Sequence, residues 1–275
     1  MRKLLNIELV KLANYTSFKV ILLLHLALFS LVIFISSRIT ISLPGFDTTN
    51  FFRFPYVWNY FAWIASWFNL LLAILTIMVT GNEFSYRTFR QHVIDGLDKK
   101  ELLWGKLLVI FIIAAYGSLL IFFSGTVYGM IYTPELTAGK FFSGTGILLV
   151  YFLQAFAYMV VGLLIVMMVR STALPIVLFI LLRFPVEPII RSFFDPSLRP
   201  FFPMKAIGSL TPMPEFLSIS SQVEYESAGG ANALTLEEMG LTAPGLPLFA
   251  QVLLATGYIV IFLSVIILVL KKRDI

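Results

Sequence analysis

Ten charged or imidazole side chains crowd one stretch of an otherwise greasy chain. Residues 80–106, TGNEFSYRTFRQHVIDGLDKKELLWGK, hold Glu83, Arg87, Arg90, His92, Asp95, Asp98, Lys99, Lys100, Glu101 and Lys106. These residue types could serve acid–base chemistry, metal ligation or phosphate binding, and spacing decides among them. The two histidines, His25 and His92, lie far apart, and neither belongs to HExxH or to any cluster with ligand spacing. His25 reads as a packing or helix-contact residue. The chain has no cysteine, so it has neither disulfides nor thiolate metal sites. Gly105-Lys106 is followed by Leu107, and Lys100 stands where a phosphate-cradling P-loop needs its first glycine. No GxSxG occurs. No catalytic, cofactor-binding or metal-binding role is therefore assigned to this chain.

What must position that stretch is a membrane bundle. Of 275 residues, 59% are hydrophobic and 13% charged, against about 25% charged in soluble domains. Mean hydropathy is +0.92. Lipid must be the solvent for most of this surface. A spanning helix needs about 20 apolar residues, and six segments meet that need: 18–37, 58–80, 102–132, 142–169, 172–194 and 246–270. The sequence predicts one all-α transmembrane domain over 1–275. The N-terminal stretch is read as retained rather than as a signal peptide. Its charges extend to Lys19, and the apolar run behind it exceeds the usual signal core.

Lysine and arginine set the orientation. With both termini inside, thirteen of the twenty basic residues fall on the inner side and seven on the outer. The basic residues sit at the ends of apolar runs, so topology explains the high pI and no nucleic-acid partner is expected. Residues 3–14 read as an amphipathic helix in the interface, with Leu5, Leu9 and Leu12 on one face and Lys3, Asn6 and Asn14 elsewhere. Trp58, Tyr60, Trp63 and Trp67 read as an outer aromatic belt. Gly125 and Gly129 form a GxxxG, a helix-packing signal.

The fifth span is interrupted by RFPVEPIIRSFF. Pro185 and Pro188 each remove a backbone donor and disfavour helix in the residue before. The span is expected to kink sharply, or to break and continue as a short helix that dips back. Arg183 and Glu187 fall at this point as an intramembrane polar pair. They either act in function or satisfy each other structurally across the kink. Residues 195–245 form a polar outer segment expected to hold short helices.

Within the charged stretch, Tyr86, Phe89, Val93 and Leu97 recur at three and four residues and make an apolar stripe. Glu83, Arg87, Arg90 and Gln91 lie off it, with Glu83 and Arg87 as an acid-before-base i,i+4 pair. Gly96 suits the left-handed position that ends a helix. Asp98 and Glu101 resemble a capping box opening the third span. A built surface helix over 82–97, a turn and a new span follow. This is a docking surface for a partner rather than a linker.

The whole arrangement resembles the permease subunit of a type-2 ABC exporter, and more loosely those of Bacteroidetes-type bacteria. The resemblance rests on the six spans, the N-terminal interfacial helix, the long outer segment, and the loop pattern Glu83, Thr88, Gln91, Gly96, Lys99 and Lys106. It implies that residues 82–97 are a coupling helix seated in a separate ATPase subunit, with Glu83, Phe84, Arg87, Thr88, Gln91, Asp95, Gly96 and Lys99 as coupling residues. It implies that residues 3–14 are an elbow helix and that the fifth span is re-entrant. A second permease copy, or a homologous permease, would stand alongside. ATP and Mg would be held by the partner, since no ATPase domain is fused. The site would be the bacterial inner membrane, with both termini cytoplasmic and rigid second and third spans carrying motion inward. The alternative is a non-transporting membrane scaffold whose loop docks a regulatory protein. An intramembrane enzyme would need more polar groups at depth than Arg183 and Glu187. Aromatic content with few buried charges favours a hydrophobic or amphipathic substrate.

Overall fold

The computed structural model describes residues 8, 10–43, 46–88, 91, 94, 96, 98–214 and 246–272. Five helices are long and apolar enough to cross a membrane, and a bent pair makes a sixth span. The first is α1 (Thr16–Arg38). The second is the pair α2 (Tyr56–Trp67) and α3 (Asn69–Ser85), bent by 45°. The third is α4 (Lys99–Tyr132). The fourth runs from the short α5 (Ala138–Phe142) into α6 (Ile147–Val169). The fifth comprises α7 (Ala173–Leu181), a π-helical turn (Leu182–Val186) and α8 (Glu187–Ser192). After α9 (Pro203–Gly208), the sixth span is α10 (Leu248–Lys272). Apart from a two-residue antiparallel ladder, Ser42–Leu43 with Phe46–Asp47, the described architecture is all-α.

The fourth span is the axis of the bundle. Some 61% of its apolar window is buried, against 17–33% for the other unbent spans, and α6 packs against α3, α10, α4 and α7. Apolar burial does not drive helices together in lipid, so close backbone approach must do so. Gly162 of α6 meets the Ala73 carbonyl of α3, where an added Cβ would lie 3.2 Å from the oxygen. Gly81 touches the turn before α7, where a Cβ would stand 2.7 Å from the Ser171 carbonyl.

Several expectations change at this level. The aromatic belt is corrected for two of its members. Trp58 is fully buried and Tyr60 nearly so, while Trp67 is exposed. Trp58 stacks on Phe122 and donates its indole N–H to the Phe141 carbonyl at 2.9 Å. The cause is tertiary: Gly125 and Gly129 of α4 leave room for the Trp58 and Phe54 rings. The GxxxG thus receives aromatic rings rather than a second helix backbone.

The sharp bend also lies elsewhere than the prolines suggest. The second span bends at Phe68, whose N–H bonds to the Ala65 carbonyl three residues back, so this span is not one straight rod. The fifth span runs on through its prolines as a 20-residue helix. A π-helical turn absorbs the donor missing at Pro185, and the Glu187 N–H reaches back five residues to the Leu182 carbonyl. The element that dips back comes afterwards. It is α9, whose Met204, Ala206 and Ile207 are buried.

Candidate functional site

Two polar centres are built into the bundle, one at an end and one reaching to mid-span. At the end where the second span leads into the third, Lys106 is 2% exposed and sits on the inward face of α4 between Leu102, Leu103, Val109 and Ile110. Its ammonium donates to both carboxylate oxygens of Glu8 at 2.9 Å and to Glu83 Oε1 at 2.5 Å. Lys11, half-buried, adds a pair to Glu83 at 3.3 Å and a longer one to Glu8 at 3.7 Å. Two lysines thus face two buried carboxylates. Burying charge costs several kcal/mol per ion, and only close, complete pairing offsets it. This cluster binds the N-terminal helical residues, the end of α3 and the start of α4 to one another.

Glu83 therefore does not pair with Arg87. The helix expected over 82–97 divides between them, because α3 ends at Ser85 and Arg87 adopts a left-handed φ of 58°. The capture of the Glu83 carboxylate by Lys106 and Lys11 turns it inward, and the chain must reverse to continue. Phe84 is half-buried against the core. The Thr88 hydroxyl donates to the Glu83 carbonyl at 3.3 Å, and the Gln91 N–H bonds to the Arg87 carbonyl at 3.1 Å. Tyr86 and Ile94 are about three-quarters exposed, and Arg87 and Gln91 are exposed as well. Asp95 lies outside the described residues, as do Phe89, Arg90, His92, Val93, Leu97 and half of the 3–14 stretch.

The far side of the loop is fixed as well. Gly96 takes a φ of 93°, a conformation that glycine adopts without Cβ strain. The capping box is present in both directions, with Asp98 accepting from the N3 backbone and Glu101 accepting from the Asp98 N–H at 3.3 Å. Lys99 donates to the Leu270 carbonyl at 3.2 Å, closing the last turn of α10. These contacts put the N-terminal helical residues, the loop and the end of the sixth span at one end of the molecule. A cleft of about 220 Å³ opens there, lined by Lys11, Leu12, Tyr15, Asn82, Glu83 and Thr88.

Midway along the fourth span, Gln154 is a buried hub on α6. It accepts from Asn69 at 3.3 Å and Thr211 at 2.9 Å, and donates to the Ile207 and Gly208 carbonyls at 3.0 and 3.3 Å. Gln154 thereby seats α9 inside the bundle. Glu187 completes the seat, accepting from the N–H groups of Met204 and Lys205 at 2.8 and 2.6 Å. Arg183 makes no ion pair with it; its guanidinium lies over the Tyr158 ring at 4.3 Å. The expected structural pair across the kink is thus replaced by two separate engagements, a carboxylate on α9 and a cation on an aromatic face.

Sequence reading missed Glu8 and counted Lys106 only in the loop pattern, although both carry a signal of burial. Glu8 lies three residues after Leu5 and four before Leu12, so it falls on the apolar face. Lys106 falls on the apolar face of the third span in the same way. A charge on a buried stripe implies a buried partner. Gln154, a lone amide within YFLQAFAY, has the same character. His25 is buried between the Phe68 and Tyr116 rings. No three His, Cys, Asp or Glu residues converge as metal ligands would among the described residues.

Six apolar spans, the fourth buried among the others, with an exposed loop between spans two and three, define a multi-pass membrane protein. Residues 4–186 match the family model described as ABC-2 family transporter protein, and the chain belongs to that family. Such a membrane component is not itself catalytic. The search of curated proteins returned no match to the chain.

Proposed function

We propose that this chain is the permease subunit of an ABC exporter, coupled to a separate ATPase subunit that holds ATP and Mg. It would form the substrate path with a second permease copy or a homologous permease. The bacterial inner membrane is its proposed site, with the clamped end and both termini facing the cytoplasm. The excess of lysine and arginine at that end supports the orientation.

The observation that carries this reading is the loop's construction. Its entry is held by the Glu83–Lys106–Glu8 cluster and its exit by the Asp98–Glu101 capping box. Between them, Tyr86, Arg87, Gln91 and Ile94 face outward. A surface anchored on both sides transmits displacement rather than absorbing it. In this mechanism, closure of the ATPase pushes on residues 86–96. The buried ions pass the load to the N-terminal helix and α4 together, and the bend at Phe68 takes up the motion in the second span.

The role of Glu83 is correspondingly that of an anchor. Surface contact with the ATPase belongs to Arg87, Thr88, Gln91 and Asp95, while Phe84 and Lys99 hold the loop's two roots. The test is co-purification with an ATPase subunit bearing a Walker motif, followed by substrate-stimulated ATPase measurement. Arg87→Gly and Gln91→Ala are expected to keep the thermal stability of the parent and to lose most of the stimulation. Undiminished stimulation and transport in both would sink the coupling assignment. Capture of a regulatory protein without an ATPase would favour the scaffold reading instead.

A further inference from the structure

Two of the long spans end against the same cavity. α1 closes at Arg38 and α4 at Tyr132. The Tyr132 hydroxyl donates to the Ser37 carbonyl at 3.3 Å and ties the two ends together. The cavity there holds about 240 Å³ and is lined by Ser37, Thr40, Thr48, Thr49, Phe52 and Tyr132. All of these but Phe52 carry a hydroxyl, and no charged side chain lines the cavity among the described residues.

Three of the hydroxyls have already committed their protons. Ser37 Oγ donates to the Phe34 carbonyl at 2.7 Å, Thr48 Oγ1 to the Ile39 carbonyl at 3.1 Å, and Tyr132 to Ser37. A hydroxyl oxygen that donates once still has lone pairs for an incoming donor. The last carbonyls of a helix also lack intrahelical partners, and they form the negative end of its dipole. Two such ends meet here. The Phe52 and Tyr132 rings, with centroids 5.2 Å apart, add aromatic surface, which attracts cations. Arg38, adjacent in sequence, holds its guanidinium over the Phe34 ring at 5.0 Å, one turn back along α1. Acceptor oxygens, two helix C-termini and aromatic rings together select a cation rich in N–H donors.

We propose that this cavity binds a primary ammonium group, whose N–H donors meet the oxygens of Ser37, Thr48 and Tyr132. The cavity lies where spans end, at the level of lipid headgroups. The ammonium can therefore arrive as the head of an aminophospholipid or as a free amine. Binding needs neither nucleotide nor partner, so the site stands apart from the ATPase reading.

The experiment uses the full chain in a polyoxyethylene detergent. Phosphatidylethanolamine, its N-monomethyl and N,N-dimethyl derivatives, and phosphatidylcholine are added separately, all with the same acyl chains. Retained lipid is counted by native mass spectrometry. Retention is expected to fall at each methylation, as N–H donors are lost, and to differ roughly tenfold between the first and last lipid, in keeping with charge-assisted hydrogen bonding. The double variant Ser37→Ala with Tyr132→Phe keeps the ring and should remove most of that preference. Thr40 is exposed, so Thr40→Trp fills the cavity without disturbing the core and should lower retention of phosphatidylethanolamine. Ser264→Ala, at a hydroxyl bonded within its own helix, should change neither. Ethylammonium, followed by saturation-transfer NMR, separates the two sources. A signal lost in Thr40→Trp supports a site open to free amines, and no signal beside a graded lipid response supports a site confined to the lipid head. Equal retention of phosphatidylethanolamine and phosphatidylcholine without an ethylammonium signal would overturn the proposal. An unchanged preference in both variants would also overturn it, as would displacement of the lipid by equimolar potassium chloride, which would mark a site for inorganic cations.

Discussion

Lys106 Nζ lies 2.5 Å from Glu83 Oε1, although the two residues leave different spans and Lys106 is all but inaccessible. The contact makes the loop between those spans a closed structure, sealed at its base by charge. Glu8 completes the seal from the N-terminal helix at 2.9 Å.

Replacing Lys106 by methionine keeps the volume and removes the cation. Glu8 and Glu83 are then left buried, with half-exposed Lys11 in place of the close partner. The cost is expected to be about 3–5 kcal/mol, the range for breaking a buried pair on one side only. A thermal melt of the solubilised protein checks this. Adding Glu8→Gln and Glu83→Gln should recover much of the loss, because the unpaired charges go with the lysine.

Gly81→Ala should destabilise by about 1–3 kcal/mol, since overpacking against backbone cannot be relieved by a rotamer change. The added Cβ would lie 2.7 Å from the Ser171 carbonyl. Gly139→Ala meets nothing within 4 Å and should stay within about 0.5 kcal/mol of the parent. Equal melting temperatures for the two variants would contradict the close approach of α3 to the turn before α7.

Gln154→Leu strips four hydrogen bonds, three of them to α9 and the residues just after it. Interhelical hydrogen bonds in membranes average about 0.6 kcal/mol each, so a total near 2 kcal/mol is expected. A cysteine placed at Leu210, buried in the parent, should become reactive to a water-soluble maleimide in this variant and not otherwise. Continued protection would mean that packing alone seats α9.

Lys99→Gln removes the ammonium that closes the end of the sixth span on the Leu270 carbonyl. Hydrogen bonds to charged groups contribute about 1.5–3 kcal/mol, so amide exchange in the last turn of α10 should rise by roughly tenfold or more. Unchanged protection there would show that the link does not hold the helix end.

The amino-acid sequence by itself determined the solvent, the number of spans and the punctuation of the loop. Apolar run length registers bilayer thickness directly. Gly96 and the Asp98–Glu101 box are local devices, and each formed as its neighbours in sequence dictate. Only the tertiary structure decided where the charges and rings point. Glu83 had a well-spaced local partner in Arg87, yet it turned inward to Lys106 and Glu8. A buried carboxylate gains more from close cations than an exposed i,i+4 pair does. Trp58 left the aromatic belt because Gly125 of another span made room for its ring. Glu187 left Arg183 for the backbone of α9, at Met204 and Lys205 beyond the span's end at Ser192, in a direction no periodicity records. In each case the competing partner comes from a distant part of the chain, and only folding reveals which of two satisfactory partners lies closer.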